Sequence, residues 1–468
     1  MMSSYSKIYT VIIGLNKGIG FRTKKPWFLH DLLGRNLLER IVDNARAIKS
    51  EEIFIILSEG QKELLKLRDT ERISIVCRGV LKDIALDLLK AVEGIGEDDL
   101  VLVINVVNPL LSEETIKEFA LRPALSADTV YIISGNIPDG DNFKKIMRDR
   151  FGNVVNIKYE KECSEEKSSI KEVDLGYYLM SNNLFKELLT DISSIYLKEE
   201  FTVADLIEFL LYRKRKFIVL VGANADEVFS VDNESDLERA MRELWRRKVN
   251  ELLRGGVIVM DKDRCYVSDE VKVGTDVVLY PNVTIEGKTE IGNNCVIYSG
   301  SRIKDSKVGA DVVIYDNSII EGAMIEVGVS IGPFARIRPE THIMSGARIG
   351  NFVELKKTSM GRNSKANHLT YLGDAIIGDD VNIGAGTITC NYDGEKKHQT
   401  IIEDGVFIGS DTQFIAPVSI HKGAYIAAGS TITKDVPEGA LGIARSKQEN
   451  KIGWVRRKKK MRKKEGKN

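Results

Sequence analysis

Five histidines occur in the chain: His30, His342, His368, His398 and His421. Imidazole is the side chain whose proton affinity lies nearest neutrality, so these few positions are the first candidates for taking a proton from an amine. His368 stands among Lys365, Asn367 and Tyr371, whereas His421 sits at a turn beside Lys422 and Gly423. Arg336, Arg338, Lys356, Lys357, Lys365, Lys396 and Lys397 lie in the surrounding sequence. Cations on adjacent turns of one fold can converge on a phosphate, with arginine supplying two parallel N–H donors. The same residues would also serve as a plain solvated basic face, and a lone histidine as a surface residue. The sharper reading is a base beside a phosphate site.

The elements that must position these residues have an unusual grammar. After Val257, aliphatic residues recur every six positions: Val273, Leu279, Ile285, Ile291, Ile297, Ile303, then Val308, Ile314, Ile320. A second slip of one leads to Ile325, Ile331, Ile337, Ile343, Ile349 and Leu355, and later to Ile402, Ile408, Phe414, Ile420, Ile426 and Ile432. A period of six fits neither a helix nor a single strand. It fits a coil of three short sides, each aiming one side chain into a triangular core, with glycine and small polar residues at positive-φ corners. Such a parallel β-helix buries each coil only against its neighbours. The beat is interrupted between Leu355 and Ile377, where His368 lies, and between Ile383 and Ile402, where Asn391-Tyr392-Asp393-Gly394 has the chemistry of a turn in an outward loop.

The first half reads differently. Apolar runs at Ile8–Ile13, Ile53–Leu57, Ile73–Val76, Val101–Ile104 and Val130–Ile133 alternate with amphipathic stretches at Leu37–Ile48, Ile84–Val92 and Glu114–Leu121. That alternation predicts βαβ units and a mostly parallel sheet covered on both faces. An amphipathic helix, Ser235–Leu253, leads away from it. The 468 residues, 43% hydrophobic and 29% charged, are expected to form two globular domains. No apolar run is long enough to span a bilayer and no signal-peptide pattern opens the chain. The five scattered cysteines argue against a disulfide framework or thiolate metal site and point to the cytoplasm. Charge balances, 68 cations against 68 anions, but a basic run, Arg456–Lys464, ends the chain. It reads as a solvated, mobile terminus, with neither nucleic acid nor membrane as partner.

Four segments carry a resemblance: Gly332–Pro339 (GPFARIRP), Ile349–Lys357 (IGNFVELKK), Lys365–Gly373 (KANHLTYLG) and Asn382–Gly394 (NIGAGTITCNYDG). They closely resemble the bacterial bifunctional GlmU family, nearly unbroken from Gly332 to Trp454 and more weakly from Asp261 to Ile331. The resemblance implies an α/β nucleotidyltransferase-like (Rossmann-like) domain fused to an all-β, left-handed parallel β-helix acetyltransferase that trimerises. Its activities there are acetylation of glucosamine 1-phosphate by acetyl-CoA and uridylyl transfer giving UDP-N-acetylglucosamine. Carried over by matching position, His368 is the general base. Arg338, Lys356, Tyr371 and Asn382 bind the sugar phosphate, Lys397 adds a cation from the loop, and Glu354 orients the base or the amine. Ala385, Asn391, Tyr392, Ser410, Ala428 and Arg445 contact acetyl-CoA, with donors near Asn391 and Ser410 available to a tetrahedral oxyanion. The layout expected is a first domain over 1–234, a connecting helix over 235–256, the β-helix over 257–446 and a basic tail over 447–468.

The first domain departs from the family pattern. The glycine-rich phosphate turn is altered across Gly14–Arg22, and Pro26-Trp27 follows in place of Pro-Lys. The base-reading segment is replaced by Arg78–Asp83. The Gly-Asp step that holds Mg²⁺ reads Val106-Val107-Asn108-Pro109, and the second metal position corresponds to Asp232-Asn233. These departures predict weak or lost uridylyl transfer, no metal site, and Mg²⁺ as cofactor only if that activity survives. A fully bifunctional enzyme and a noncatalytic trimeric scaffold are the alternative readings.

Overall fold

A computed structural model describes residues 7–14, 21–57, 61, 70–77, 81–120, 126, 128–137, 143–159, 170–195 and 203–465. The chain divides into two compact units, Met1–Lys248 and Val249–Asn468.

In the first unit the strands are β1 (Ile8–Ile13), β2 (Ile53–Leu57), β3 (Ile73–Cys77), β4 (Leu100–Asn105), β5 (Thr129–Asn136), β6 (Lys144–Arg148), β7 (Val154–Tyr159), β8 (Glu172–Ser181) and β9 (Lys216–Ala223). Their order is β9-β5-β8-β4-β1-β2-β3, with β6 pairing β8 and β7. β1 runs parallel to β2 and β4, as the βαβ pattern requires. The expectation of a mostly parallel sheet is corrected by β8, which runs antiparallel to β4, β5 and β6. Period alone cannot reveal strand direction, because a strand buried on both faces looks the same either way. Helix α1 (Leu37–Ala47) starts where Asn36 accepts from the Glu39 N–H and Glu39 accepts from the Asn36 N–H, a reciprocal cap. Its buried stripe, Leu37, Leu38, Ile41, Val42 and Ala45, covers one face of the sheet. A final helix of this region, α2 (Glu234–Arg254), opens with Asn233 accepting from the backbone N–H groups of Ser235 and Asp236.

The second unit is the β-helix. Lys272 pairs with Glu290 and Arg348 with Lys365, so coils come in two lengths that differ by a single position. Each slip in the hydrophobic beat shortens the coil that contains it. The beat residues stack coil on coil into one continuous core from Val267 to Ile432, where nearly every aliphatic is fully buried. Stacking of identical positions gives each layer the same neighbours, so the core extends without a new packing solution per coil.

One supposed break is not a break. Between Leu355 and Ile377 the core positions are filled by Met360, Ala366 and Leu372, all wholly buried. The strands Arg348–Lys356 and Lys365–Gly373 pair in parallel register through this stretch. Methionine and alanine hide the beat because they differ from the β-branched residues elsewhere, not because the coil stops. His368 therefore lies on a regular coil. The other break is real: Ile376 pairs with Ile401, well beyond the reach of an ordinary coil. The surplus forms a hairpin in which Tyr392 and Lys397 bridge and Asp393 accepts from the backbone N–H groups of Glu395 and Lys396.

The basic run at the end, read as mobile, forms helix α3 (Trp454–Glu465), with exposed side chains through Arg462 and the Lys458 ammonium over the Trp454 ring. Among the described residues no helix is long and apolar enough to cross a membrane.

Candidate active site

Because parallel pairing fixes the register, side chains on successive coils line up in columns. One column follows a single corner of the triangle: Asn351 pairs with His368, and Ala385, Ser410 and Ala428 continue it coil by coil. Coils lie about 4.8 Å apart, so this edge runs on the order of 15 Å from His368 to Ala428. The corner residue is in the left-handed region in each coil, and its identity changes along the edge: Asn317, then Phe334, Phe352 and Leu369, then Gly386, Asp411 and Gly429. Bulky side chains rarely accept that conformation, so Phe334, Phe352 and Leu369 mark held backbone beside the histidine. Phe334 and Phe352 stack at 5.4 Å, and all three are about half exposed or more. Below them the column beside the corner carries only the small side chains of Ala385, Ser410 and Ala428, while the corner itself is Gly386, Asp411 and Gly429. Gly350 shows how tightly the coils approach, since a methyl there would strike the Asn367 carbonyl.

His368 is exposed, and its Nδ1 lies 2.6 Å from the Asn351 amide oxygen. Asn351 escaped the sequence reading; its signal was its place opposite His368, one coil back. Arg445, at the far end of the column, donates from Nη1 to the Ala428 carbonyl at 2.6 Å and leaves the rest of its guanidinium in solvent.

On the face that follows the corner, Glu354 pairs in register with Tyr371, and Arg338 donates to Glu354 at 2.9 Å. Three of the seven cations converge there: Arg338, Lys356 and, brought in by the hairpin, Lys397. The Lys397 ammonium beside Lys356, and Arg338 further off, hold the Lys356 pKa below the usual lysine range. Ammonium groups set side by side are repulsive unless an anion lies between them, so this cluster has the character of a phosphate site. Two others of the seven face carboxylates elsewhere, Arg336 facing Glu321 at 3.5 Å and Lys357 facing Glu340 at 2.9 Å.

Two candidates lie elsewhere. Asn382 pairs with Lys365 and Phe407 on the face before the corner, not with Tyr371. Asn391 is buried, and its amide donates to Asp374. It packs with the Tyr371 hydroxyl against Gly373, where any methyl would displace both. Tyr392 is exposed on the hairpin, with its hydroxyl bonded to the Gly394 carbonyl.

In the first unit, the Val231 N–H donates to the Val107 carbonyl at 3.0 Å, which brings the Val106-Val107 step beside Asp232. Asp232 is the one carboxylate of that step. Burial, with Asp236 adding to it, pushes its pKa up. Asn108 is wholly buried and spent on structure, donating to the Glu227 carbonyl and accepting from the Leu110 N–H. Asn233 is spent as a helix cap. Among the described residues no group of three His, Cys, Asp or Glu side chains is gathered as a metal cluster, and Asp232 is the carboxylate that this step offers. Residues 15–20 and 78–80, which include most of the altered phosphate turn, lie outside the described residues.

The model of the family "Bacterial transferase hexapeptide (six repeats)" matches residues 270–305 and 399–434. Those are stretches where aliphatic residues keep the beat, and the second of them carries Ser410 and Ala428. Over almost its full length the chain is similar to proteins named "Bifunctional protein GlmU". The one from Thermodesulfovibrio yellowstonii is 38% identical over 450 residues, 96% of this chain and 99% of that protein. This chain belongs to the GlmU family. Its relatives from Carboxydothermus hydrogenoformans (35% over 449 residues; 95% of this chain, 99% of that one) and Thermosipho africanus (38% over 450 residues; 96% and 97%) match both units. Membership of GlmU, together with the hexapeptide coils, makes the protein an acyltransferase with an α/β domain joined to a left-handed parallel β-helix.

Proposed function

We propose that the β-helix unit acetylates the amine of glucosamine 1-phosphate with acetyl-CoA, forming N-acetylglucosamine 1-phosphate on the way to UDP-N-acetylglucosamine. The observation that carries this reading is the crowding of Lys356 and Lys397 beside Arg338, on the coils next to His368. A dianionic phosphate relieves that repulsion, and holding it there brings the sugar amine to the corner. The free His368 nitrogen takes a proton from the amine as its nitrogen bonds to the thioester carbonyl carbon. Collapse of the tetrahedral adduct breaks the carbon–sulfur bond, and the departing thiolate recovers the proton from the imidazolium. Acetyl-CoA lies along the Ala385, Ser410 and Ala428 column, with Arg445 facing its phosphates. Glu354 and Tyr371 border the sugar, and Tyr392 borders the thioester end.

Asn382 occupies a face that Tyr371 does not share, so one chain holds parts of two half-sites. A homotrimer, in which the face of one copy meets the corner of the next, unites them. The Phe334, Phe352 and Leu369 ridge suits burial in that contact. With no membrane-crossing helix among the described residues and acetyl-CoA as donor, we assign the protein to the cytoplasm.

Uridylyl transfer by the first unit is weak or lost on this reading, because Val107 stands where a carboxylate should and the neighbouring Asn108 and Asn233 are engaged with the backbone. The second reading, full bifunctionality, draws support from relatives that carry the name over both units. Two assays separate the possibilities. Thiol release from acetyl-CoA should require glucosamine 1-phosphate and be far slower with unphosphorylated glucosamine; equal rates with both would remove the phosphate site. Pyrophosphate release from UTP and N-acetylglucosamine 1-phosphate with Mg²⁺, at an ordinary enzyme rate, would establish the bifunctional reading.

A further inference from the structure

The β-helix unit contains four histidines, and each has its ring nitrogen against a specific partner. His342 faces Glu326 at 2.8 Å, His398 faces Asp393 at 2.6 Å and His421 faces Glu403 at 3.0 Å. Three of the four partners are carboxylates. His368 differs: its partner is the neutral amide of Asn351, on the preceding coil.

The difference has a chemical consequence. A carboxylate beside imidazole favours the imidazolium and raises its pKa. It would keep the ring protonated further up the pH scale, where a protonated ring cannot accept a proton. An amide oxygen accepts the Nδ1–H just as a carboxylate does but adds no negative charge. It therefore fixes the tautomer, Nδ1 protonated and Nε2 carrying the lone pair, without stabilising the charged form. The backbone register holds the two Cα atoms opposite one another, and both residues precede a corner in the left-handed region, at Phe352 and Leu369. The ring and its partner are thus placed by the same rigid coil geometry.

We propose that Asn351 is a positioning residue for acetyl transfer: it holds His368 in the Nδ1–H tautomer with Nε2 toward the amine, and it does so without bringing a negative charge to the ring. The inference rests on His368 acting as the base. In the transfer, Nε2 gains the amine proton and later returns it to the thiolate, while the Nδ1 proton stays on the ring throughout.

The test uses the full-length protein and follows thiol release from acetyl-CoA with glucosamine 1-phosphate across pH. Asn351→Asp should keep activity and move the acidic limb of kcat/KM upward by about one pH unit, because the new carboxylate stabilises the imidazolium. Asn351→Ala should lower kcat by about 10–100-fold, the cost typical of removing a histidine's outer hydrogen-bond partner, with both KM values nearly unchanged. An acidic limb that stays in place in Asn351→Asp, or a kcat unchanged in Asn351→Ala, would overturn the proposal. Full activity in His368→Ala removes the underlying base and the proposal with it, and that result is distinguishable because it does not involve position 351.

Discussion

On the function proposed above, the two units of this chain have kept their folds to a similar degree and their chemistry to different degrees. In the first, the backbone still brings the Val107 step to Asp232, as the Val231–Val107 hydrogen bond records, yet the valine side chain supplies no oxygen and Asn108 and Asn233 are bonded to the backbone. In the second, the coils carry the histidine, Arg338, Lys356 and a column of small residues, and the hairpin adds Lys397 beside Lys356. A fold is fixed by apolar residues spread over the whole sequence, whereas a site is fixed by a handful of polar ones. A few substitutions can therefore empty a site and leave its frame standing.

The sharpest way to break this contrast is to disarm the second unit. His368→Ala should reduce kcat for acetyl transfer by about 10²–10⁴-fold, the range for a lost general base, while circular dichroism stays unchanged. A wild-type rate would make the two units equally silent. Next in size is the frame itself. Leu372→Ala empties a wholly buried core position beneath the site and should cost about 2–5 kcal/mol, read as an earlier denaturant midpoint. Lys356→Met and Lys397→Met should each raise KM for glucosamine 1-phosphate about tenfold or more, the worth of one charge-assisted bond. Their effects should fall short of additive, since each removes the other's repulsion.

A pH profile gives a finer cut. The Lys356 pKa is depressed by Lys397, so Lys356 loses its charge at a lower pH than an ordinary lysine. Phosphate affinity should therefore fall as pH rises through that value, seen as KM climbing on the alkaline side. In Lys397→Met the repulsion is gone, the Lys356 pKa rises, and the alkaline climb should begin at higher pH from a weaker baseline. The smallest effect belongs to the edge: Phe352→Ala should leave monomer stability within about 1 kcal/mol, since the ring is 55% exposed in one chain, and its larger effect should be on self-association by ultracentrifugation.

The β-helix was legible because its core demands one aliphatic side chain per side, and position after position supplies one. Met360 and Ala366 hid one coil, since each meets the demand for volume without the β-branched signature. The strand order of the first unit was not legible, because β8 carries the same apolar run whether it lies parallel or antiparallel to β4. Among the candidate site residues, His368 was singled out by scarcity and Arg338, Lys356 and Lys397 by charge. Charge alone could not separate them from Arg336 and Lys357, because which cations gather is set by coil register and by the hairpin that brings Lys397 to Lys356. Asn351 was overlooked because a neutral amide in a turn has many ordinary uses.

The hairpin at 391–398 has an evolutionary meaning. Elsewhere near the site the coils hold to two lengths that differ by one position, so a longer insertion has no place within the stack. At the hairpin the chain leaves the stack and returns, so its length is free of that constraint. Yet it delivers Lys397 to the cation cluster. Descendants of this protein can thus reshape what they accept by editing one loop, while the ruler that aligns base and donor stays untouched.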